Sequence, residues 1–110
     1  MPLSLPAGDP FGALGDANRR AIVELLGEGE RSVQEIADAL PISRPAVSRH
    51  LRLLKRAGLV VEKPSGTRHI YQLHDQGIEA VRAYVESVWG EAAARFRLVA
   101  GNTGAKPRER

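Results

Sequence analysis

The sequence predicts a mainly α-helical domain that carries one small β-hairpin. Three observations lead to this prediction. Two short amphipathic segments with helix-start signals lie on either side of Pro41. Two β-rich runs around a Pro/Gly turn follow them, over residues 59–73, and a long amphipathic stretch then runs from Asp75 to about Ala100. With 110 residues, 43% hydrophobic and 26% charged, the chain has the size and composition of one globular domain.

Both ends of the chain are expected to lie outside this domain. Residues 1–8 contain prolines and a glycine without periodicity, which indicates a flexible N-terminal arm. Residues 101–110 contain glycine, proline and charged residues, which is typical of a disordered tail. The folded domain is therefore expected over residues 9–100. Because the chain has no cysteine, no secretory leader and no apolar run of membrane-spanning length, we expect a cytoplasmic protein without disulfides.

Capping residues mark the predicted helix starts. Asp9 precedes a short helix through Phe11 and Leu14, and Asp16 precedes a second helix that runs to about Leu26 with Arg19 facing outwards. The Ser32–Glu35 segment matches the capping box, in which the serine oxygen and the glutamate carboxylate each accept a bond from a backbone N–H. That third helix should stop before Pro41.

Ser43 can cap the next helix, which should end at Gly58. Two short helices joined by a three-residue turn form a helix-turn-helix. Residues 43–58 hold five cations and no acid, although the whole chain has a net charge of only +3. Apolar residues fall on one side of this helix, at Val47, Leu51 and Leu54, and basic residues fall on the other.

A helix that is apolar behind and basic in front fits a DNA major groove. The low aromatic content, 5%, argues against the stacking surfaces that bind single strands and most RNA. The alternative is an ordinary solvated basic face. The candidates for base edges and adjacent phosphates are Ser43, Arg44, Ser48, Arg49 and His50, and the candidates for phosphates further along the helix are Arg52 and Arg56.

A hairpin that follows a helix-turn-helix is a wing. The wing tip is predicted to carry Lys63 and Arg68, which suit a phosphate backbone or a minor groove. The alternative is a solvated loop whose charge is incidental.

The long final helix carries a larger apolar stripe than a winged domain of this size needs for its own core. Such a stripe must be buried elsewhere, so we expect a homodimer in which the first and last helices pack across a two-fold axis. The predicted interface consists of Phe11, Leu14, Val81, Tyr84, Val85, Val88, Trp89 and Ala92.

The order of elements and four stretches of sequence resemble the ArsR/SmtB family of bacterial winged-helix repressors. The matching stretches are residues 18–23, Glu35-Ile36-Ala37, residues 43–60 and the wing end Ile70-Tyr71-Gln72-Leu73. The resemblance covers roughly Phe11 to Val99. It implies a winged helix-turn-helix dimerised through its first and last helices, operator binding, and repression that a signal relieves.

The sequence departs from the metal-sensing branch of that family. The family's thiolate pair would fall within residues 33–38, where there is no cysteine, and no histidine follows His74 in the last helix. The one conceivable ligand group is His74, Asp75 and Glu79, for which the alternative is ordinary polar residues at a strand-to-helix junction. The chain therefore resembles a branch without metal ligands, and no cofactor is expected.

These observations predict a sequence-specific regulator of transcription that binds double-stranded DNA. We expect a repressor that binds an inverted-repeat operator as a homodimer, with an unidentified small-molecule or protein effector or none. The alternative is a winged-helix protein-interaction module without a specific DNA site. An enzyme is not expected, because no nucleophile triad, phosphate-binding glycine loop or paired-acid motif occurs.

Overall fold

The computed structural model describes residues 8–102, with side chains as far as residue 97. The elements in chain order are α1 (Pro10–Ala13), α2 (Ala17–Leu26), β1 (Arg31–Ser32), α3 (Val33–Ala39), α4 (Arg44–Arg56), β2 (Val60–Ser65), β3 (Arg68–Leu73), α5 (Asp75–Val85), a π-helical turn (Glu86–Gly90) and α6 (Glu91–Asn102). The chain divides into two compact units between Glu79 and Ala80.

The two predicted terminal segments fall almost entirely outside the described residues. Of the predicted arm, residues 1–8, only Gly8 is described. The predicted tail, residues 101–110, begins inside α6, because that helix continues to Asn102. Its other eight residues lie outside the described part of the chain.

Side-chain caps start the first four helices where the sequence predicts them. Asp9, Asp16, Ser32 and Ser43 each accept hydrogen bonds from backbone N–H groups two or three residues on, at 2.6–3.3 Å. Glu35 Oε1 completes the capping box by accepting the Ser32 N–H at 2.8 Å. That N–H holds the pKa of the Glu35 carboxyl below its ordinary value.

The helix-turn-helix consists of α3 and α4. Leu40 leaves the helical conformation at φ −123° and ψ 151°, because the proline that follows disfavours helical angles at this residue. α4 begins with Pro45 in its first turn, where a missing N–H breaks no helical hydrogen bond. This part of the fold agrees with the sequence prediction to within one or two residues.

The sheet has three antiparallel strands in the order β1-β3-β2. β1 was not predicted, because two residues carry no periodic signal. β2 continues through Pro64 and Ser65, which were predicted as turn residues. Proline is tolerated there because β2 is an edge strand. The actual turn is the pair Gly66-Thr67, with Gly66 at φ +66°, a conformation that favours glycine.

The core of the first unit surrounds the inner face of α4. The larger apolar side chains that are fully or almost fully buried are Ile22, Leu26, Ile36, Val47, Leu51, Leu54, Leu59, Val60 and Ile70. Complete burial of one such side chain contributes roughly 1.5–3 kcal/mol. Since α4 contributes Val47, Leu51 and Leu54, this packing fixes which of its faces meets solvent.

The start of α5 lies against the end of α4 through backbone contacts. The N–H of His74 donates to the carbonyl of Leu59 at 2.9 Å. A Cβ built on Gly77 would lie 1.8 Å from the carbonyl oxygen of Gly58. Gly58 itself has φ +80°. Glycine at position 77 is therefore required by the close approach of two backbones.

The second unit is helical but is not one regular α-helix. The sequence predicted a single helix from Asp75 to about Ala100, whereas the structure places a π-helical turn at Glu86–Gly90 between α5 and α6. A π-helical turn adds residues to the helical repeat and shifts the phase of the apolar stripe. The turn ends at Gly90, a weak helix former. Within residues 8–102, no helix combines the length and apolarity that a bilayer crossing requires.

Candidate nucleic-acid interface

The solvent face of α4 is strongly basic. Arg44, Arg49, Arg52 and Arg56 are exposed, while Val47, Leu51 and Leu54 on the other side are completely buried. Within the part of the chain that the structure describes, none of these four arginines is ion-paired with an acid. Ser43 is exposed beside Arg44, and Ser48 is half-buried. Four guanidinium groups therefore remain available to an external anion.

His50 does not lie on this exposed face, contrary to the sequence expectation. The residue is 9% exposed, and its Nδ1 lies 3.4 Å from Nη1 of Arg19 on α2. Burial lowers the pKa of His50, and the charges of Arg19 and Arg49 lower it further, while Asp16 opposes the change. His50 follows Val47 by three residues and precedes Leu54 by four, so it shares their buried face of the helix and is not among the side chains that could contact DNA.

Arg19 also differs from expectation, because it was predicted to face solvent. Its Nε donates to the carbonyl of Ala13 at 2.6 Å, which ties the end of α1 to α2. Periodicity could not reveal this contact, since it depends on how α1 turns back onto α2. Arg19 thus has a structural role in holding α1, α2 and His50 together.

The two predicted cations of the wing are both ion-paired. Lys63 Nζ lies 2.9 Å from Glu30 Oε1, and Arg68 Nη2 lies 3.5 Å from Glu35 Oε1. Both cations keep more than half of their side-chain surface exposed. Arg68 borders the turn as predicted, but Lys63 lies inside β2 opposite Ile70 and not at the tip. The wing is therefore less positive than its cations alone suggest.

Glu62 on β2 binds two basic side chains. Its Oε1 accepts a hydrogen bond from Lys55 Nζ at 2.8 Å, and its Oε2 contacts Nδ1 of His69 on β3. The hydrogen bond from Lys55 lowers the pKa of Glu62, and the same contact raises the pKa of Lys55. Sequence reasoning missed Glu62, because an isolated acid in a strand gives no signal of its cross-element partners.

A cleft of about 220 Å³ separates the wing turn from the starts of α3 and α4. It is lined by Ser32, Val33, Gln34, Arg44, Thr67, Arg68 and His69. The cleft is open to solvent, and its lining includes two arginines, Arg44 at the start of α4 and Arg68 beside the wing turn. Its charge and its donors suit a phosphate group.

His74 belongs to the one conceivable metal-ligand group of the sequence, which consists of His74, Asp75 and Glu79. Its Nδ1 accepts the N–H of Gly77 at 3.3 Å, which makes the imidazole a cap for α5. Within residues 8–102, no three histidine, cysteine, aspartate or glutamate side chains are grouped as a metal site would require. At the strand-to-helix junction, His74 therefore has a structural role as a cap of α5.

Several large apolar side chains of the last helical segment are exposed. The exposed fractions are 48% for Tyr84, 43% for Val85 and Val88, and 58% for Trp89, whose ring meets that of Tyr84 edge to face. Ala92 is exposed and Val81 is half-buried. On α1, Phe11 is 39% exposed and Leu14 is half-buried. Exposed apolar residues in such numbers are typical of an interaction surface.

A helix-turn-helix with a basic second helix, followed by an antiparallel hairpin, defines the winged helix-turn-helix class of DNA-binding proteins. The family model described as "Bacterial regulatory protein, arsR family" matches residues 16–62. The chain is 46% identical over 92 residues to the HTH-type transcriptional regulator Rv2034 of Mycobacterium tuberculosis, covering 84% of this chain and 86% of the relative. The chain belongs to the ArsR family of winged helix-turn-helix transcriptional regulators.

Other relatives agree with this assignment. The HTH-type transcriptional repressor SmtB of M. tuberculosis is 45% identical over 69 residues, which are 63% of this chain and 51% of that protein. A crystal structure of a possible transcriptional regulator for arsenical resistance superposes with a TM-score of 0.68 at 40% identity, covering 74% of this chain and 84% of the other.

A solution structure of a homodimeric winged helix-turn-helix DNA-binding domain from Mycobacterium bovis gives a TM-score of 0.60 at 35% identity, covering 73% and 74% of the two chains. Membership of a family of transcriptional regulators confirms the predicted fold class and the prediction that the protein is not an enzyme.

Proposed function

We propose that this protein is a transcriptional repressor that binds, as a homodimer, an inverted-repeat operator in double-stranded DNA. The observation that carries the proposal is the set of four arginines on the exposed face of α4, none of which is ion-paired with an acid among the described side chains. Unpaired arginines can bond guanine bidentately and can neutralise phosphates without first giving up an internal partner. The name of the relative SmtB supports repression as the outcome.

Within α4, residues near the N-terminus read bases and later residues hold the backbone. Ser43, Arg44, Ser48 and Arg49 lie in the first half of the helix, where a recognition helix meets base edges. Arg52 and Arg56 follow one and two turns after Arg49 and contact phosphates. In the cleft between α4 and the wing, Arg44 and Arg68 hold a further phosphate.

The wing cations reach DNA by exchanging partners. Lys63 leaves Glu30 and Arg68 leaves Glu35 when phosphates approach, since exposed ion pairs contribute little. The exchange leaves two carboxylates without cations beside the DNA. The salt dependence of the affinity should therefore indicate that fewer phosphates are neutralised than there are basic residues at the interface.

The homodimer forms through the exposed apolar residues of α1 and of the last helical segment, namely Phe11, Leu14, Val81, Tyr84, Val85, Val88, Trp89 and Ala92. Their exposure and the homodimeric neighbour from M. bovis support this interface. Two α4 helices related by a two-fold axis enter successive major grooves, which requires an inverted repeat.

A small-molecule or protein effector that changes the packing of this dimer interface would change the separation of the two α4 helices. Because a DNA partner requires access to the chromosome, we also propose the cytoplasmic location that the sequence predicts.

The test is a selection of random duplex DNA on the purified protein. The selected sequence is then titrated against scrambled DNA at physiological salt. We expect an inverted repeat that binds about a thousandfold more tightly than scrambled DNA, within the usual range for specific regulators. If no sequence is enriched, the operator-binding proposal is wrong, and the winged-helix protein-interaction module becomes the better interpretation.

Two variants separate base reading from phosphate binding. Arg49→Ala should lower the ratio of operator affinity to scrambled-DNA affinity by about tenfold, because one bidentate guanine contact is worth about 1–3 kcal/mol. Lys63→Ala is the matched control, since it also removes one exposed cation. It should weaken binding to both DNAs equally and leave the ratio unchanged. An unchanged ratio for Arg49→Ala would show that Arg49 does not read a base.

A further inference from the structure

The carboxylate of Glu62 joins three elements of the first unit. It lies on β2, accepts a hydrogen bond from Lys55 near the end of α4, and contacts His69 on β3. The cross-strand register places Glu62 opposite Tyr71, so His69, two residues from Tyr71, lies on the same face of the hairpin. The Glu62 side chain is 20% exposed, whereas Lys55 is 52% and His69 is 62% exposed. The acid is thus enclosed by its partners.

Among the described residues, the outer part of the hairpin has two other ion pairs, Lys63 with Glu30 and Arg68 with Glu35 on α3, and neither of them reaches α4. β1 pairs with β3 only at Tyr71 and Ile70, so the ribbon from Pro64 to His69 extends beyond the three-stranded part of the sheet. A two-stranded ribbon alone is marginally stable in water. Its direction relative to α4 therefore depends on side-chain ties between the two elements. The bond from Lys55 to Glu62 is such a tie, and it joins the hairpin directly to the recognition helix.

The charge of Glu62 is unfavourable for the proposed partner. A carboxylate bonded to α4 repels phosphates that approach this helix and neutralises Lys55, a cation that could otherwise attract them. An acid at this position weakens the binding of any DNA sequence. Its benefit must therefore lie in geometry, since phosphate contacts fix the register in which base contacts are made.

We infer that Glu62 is a positioning residue, which sets the distance between the wing and α4 and so contributes to sequence specificity at the expense of affinity. This inference rests on the proposed function, because it concerns how the same surface meets DNA. Removing the carboxylate should have two opposite effects. Binding to every sequence should become tighter through charge, and discrimination between sequences should become poorer through a looser wing.

Glu30→Gln is the matched control for Glu62→Gln. Each variant removes one negative charge and releases one lysine, Lys63 or Lys55. Glu30, however, immediately precedes β1, and its partner Lys63 lies opposite Ile70, which is itself paired with Ser32 of β1. The Glu30 ion pair therefore lies within the hydrogen-bonded sheet and makes no tie to α4.

The first measurement is the affinity of wild type and both variants for the selected operator and for scrambled DNA. Both variants should bind scrambled DNA about two- to fivefold more tightly at low salt, since one repulsive charge is gone. Glu62→Gln should lose about tenfold in the ratio of operator to scrambled affinity, and Glu30→Gln should stay within about twofold of wild type. Equal ratios for the two variants would overturn the inference.

The second measurement needs no DNA. Amide hydrogen exchange over residues 64–69 should accelerate about tenfold in Glu62→Gln and remain at the wild-type rate in Glu30→Gln, because only Glu62 ties the hairpin to α4. Unchanged exchange in Glu62→Gln would overturn the inference. If wild type shows no preferred sequence, the proposed function fails, and hydrogen exchange alone decides whether Glu62 positions the wing.

Discussion

His50 is buried against Arg19, although its position in a basic helix predicted that it would contact DNA. His50 lies among cations of a basic helix, yet its ring is 9% exposed and its Nδ1 lies 3.4 Å from the guanidinium of Arg19. Asp16, whose own pKa is lowered chiefly by the backbone N–H of Arg19, supplies the nearest compensating negative charge. The contact between Arg19 and His50 links α2 to α4.

This burial makes stability depend on pH. The folded state keeps His50 neutral at pH values where the unfolded chain already binds a proton, near the ordinary pKa of 6.5. Unfolding therefore takes up a proton, and stability should fall as pH decreases from 7.5 to 5.5. His50→Asn should make the urea midpoint less dependent on pH over this range, because it removes the titrating group. A pH dependence equal to that of wild type would contradict the burial of His50.

The control for this measurement is His69→Gln. Its side chain is 62% exposed, so replacing it does not remove the buried imidazole. The variant should still lose stability as pH decreases from 7.5 to 5.5. Loss of that dependence in His69→Gln would assign the effect to the wing and not to α4.

At the scale of elements, the packing of α5 against the end of α4 depends on one glycine. The alanine Cβ of a Gly77→Ala variant would lie 1.8 Å from the Gly58 carbonyl oxygen, a backbone atom that cannot move alone. The two elements would have to separate, at a cost of about 2–4 kcal/mol in the free energy of unfolding. Chemical denaturation measures this loss, and a stability equal to that of wild type would contradict the observed approach.

Gly90→Ala is the control, because it makes the same substitution at another glycine of a helical segment. There the added Cβ would meet only the flexible side chain of Glu86, at 3.0 Å. The change should be small or should stabilise the protein by up to about 1 kcal/mol, since alanine is the better helix former. A large loss at both positions would indicate a general intolerance of alanine and not a specific backbone contact.

At the scale of the whole molecule, the exposed apolar side chains lead to a prediction about assembly. Val88→Asp places a charge among Tyr84, Val85 and Trp89, so it should shift the protein from dimer to monomer. Sedimentation measures the state. Because Val88 is 43% exposed within one chain, the helical content should remain as in wild type. A dimer as stable as that of wild type would contradict the proposed interface.

The control is Ser87→Asp, which adds the same charge one residue earlier in the same π-helical turn. Ser87 lies off the apolar stripe, and its hydroxyl donates to the Tyr84 carbonyl at 2.9 Å. This variant should remain dimeric. If both variants are monomeric, the effect comes from charge anywhere on the segment, and the stripe has no special role.

Local sequence signals accounted for most of the fold. Capping residues predicted the starts of α1 to α4, Pro41 predicted the end of α3 and Gly58 the end of α4, since hydrogen bonds over three or four residues decide helix starts. Apolar residues at helical spacing, with basic residues on the opposite side, predicted which face of α4 meets solvent. The π-helical turn was not predicted, because a stripe with helical spacing does not show where the hydrogen-bond pattern slips by one residue.

The sequence by itself therefore determined the helix-turn-helix, the hairpin and the basic exposed face of α4, because each depends on residues close together in the chain. Only the tertiary structure decided the partners of charged residues: His50 with Arg19, Lys63 with Glu30, and Glu62 with Lys55 and His69. The physical reason is the range of these interactions. A helix cap forms between residues that are close together in the chain. An ion pair joins side chains that folding brings together from different elements.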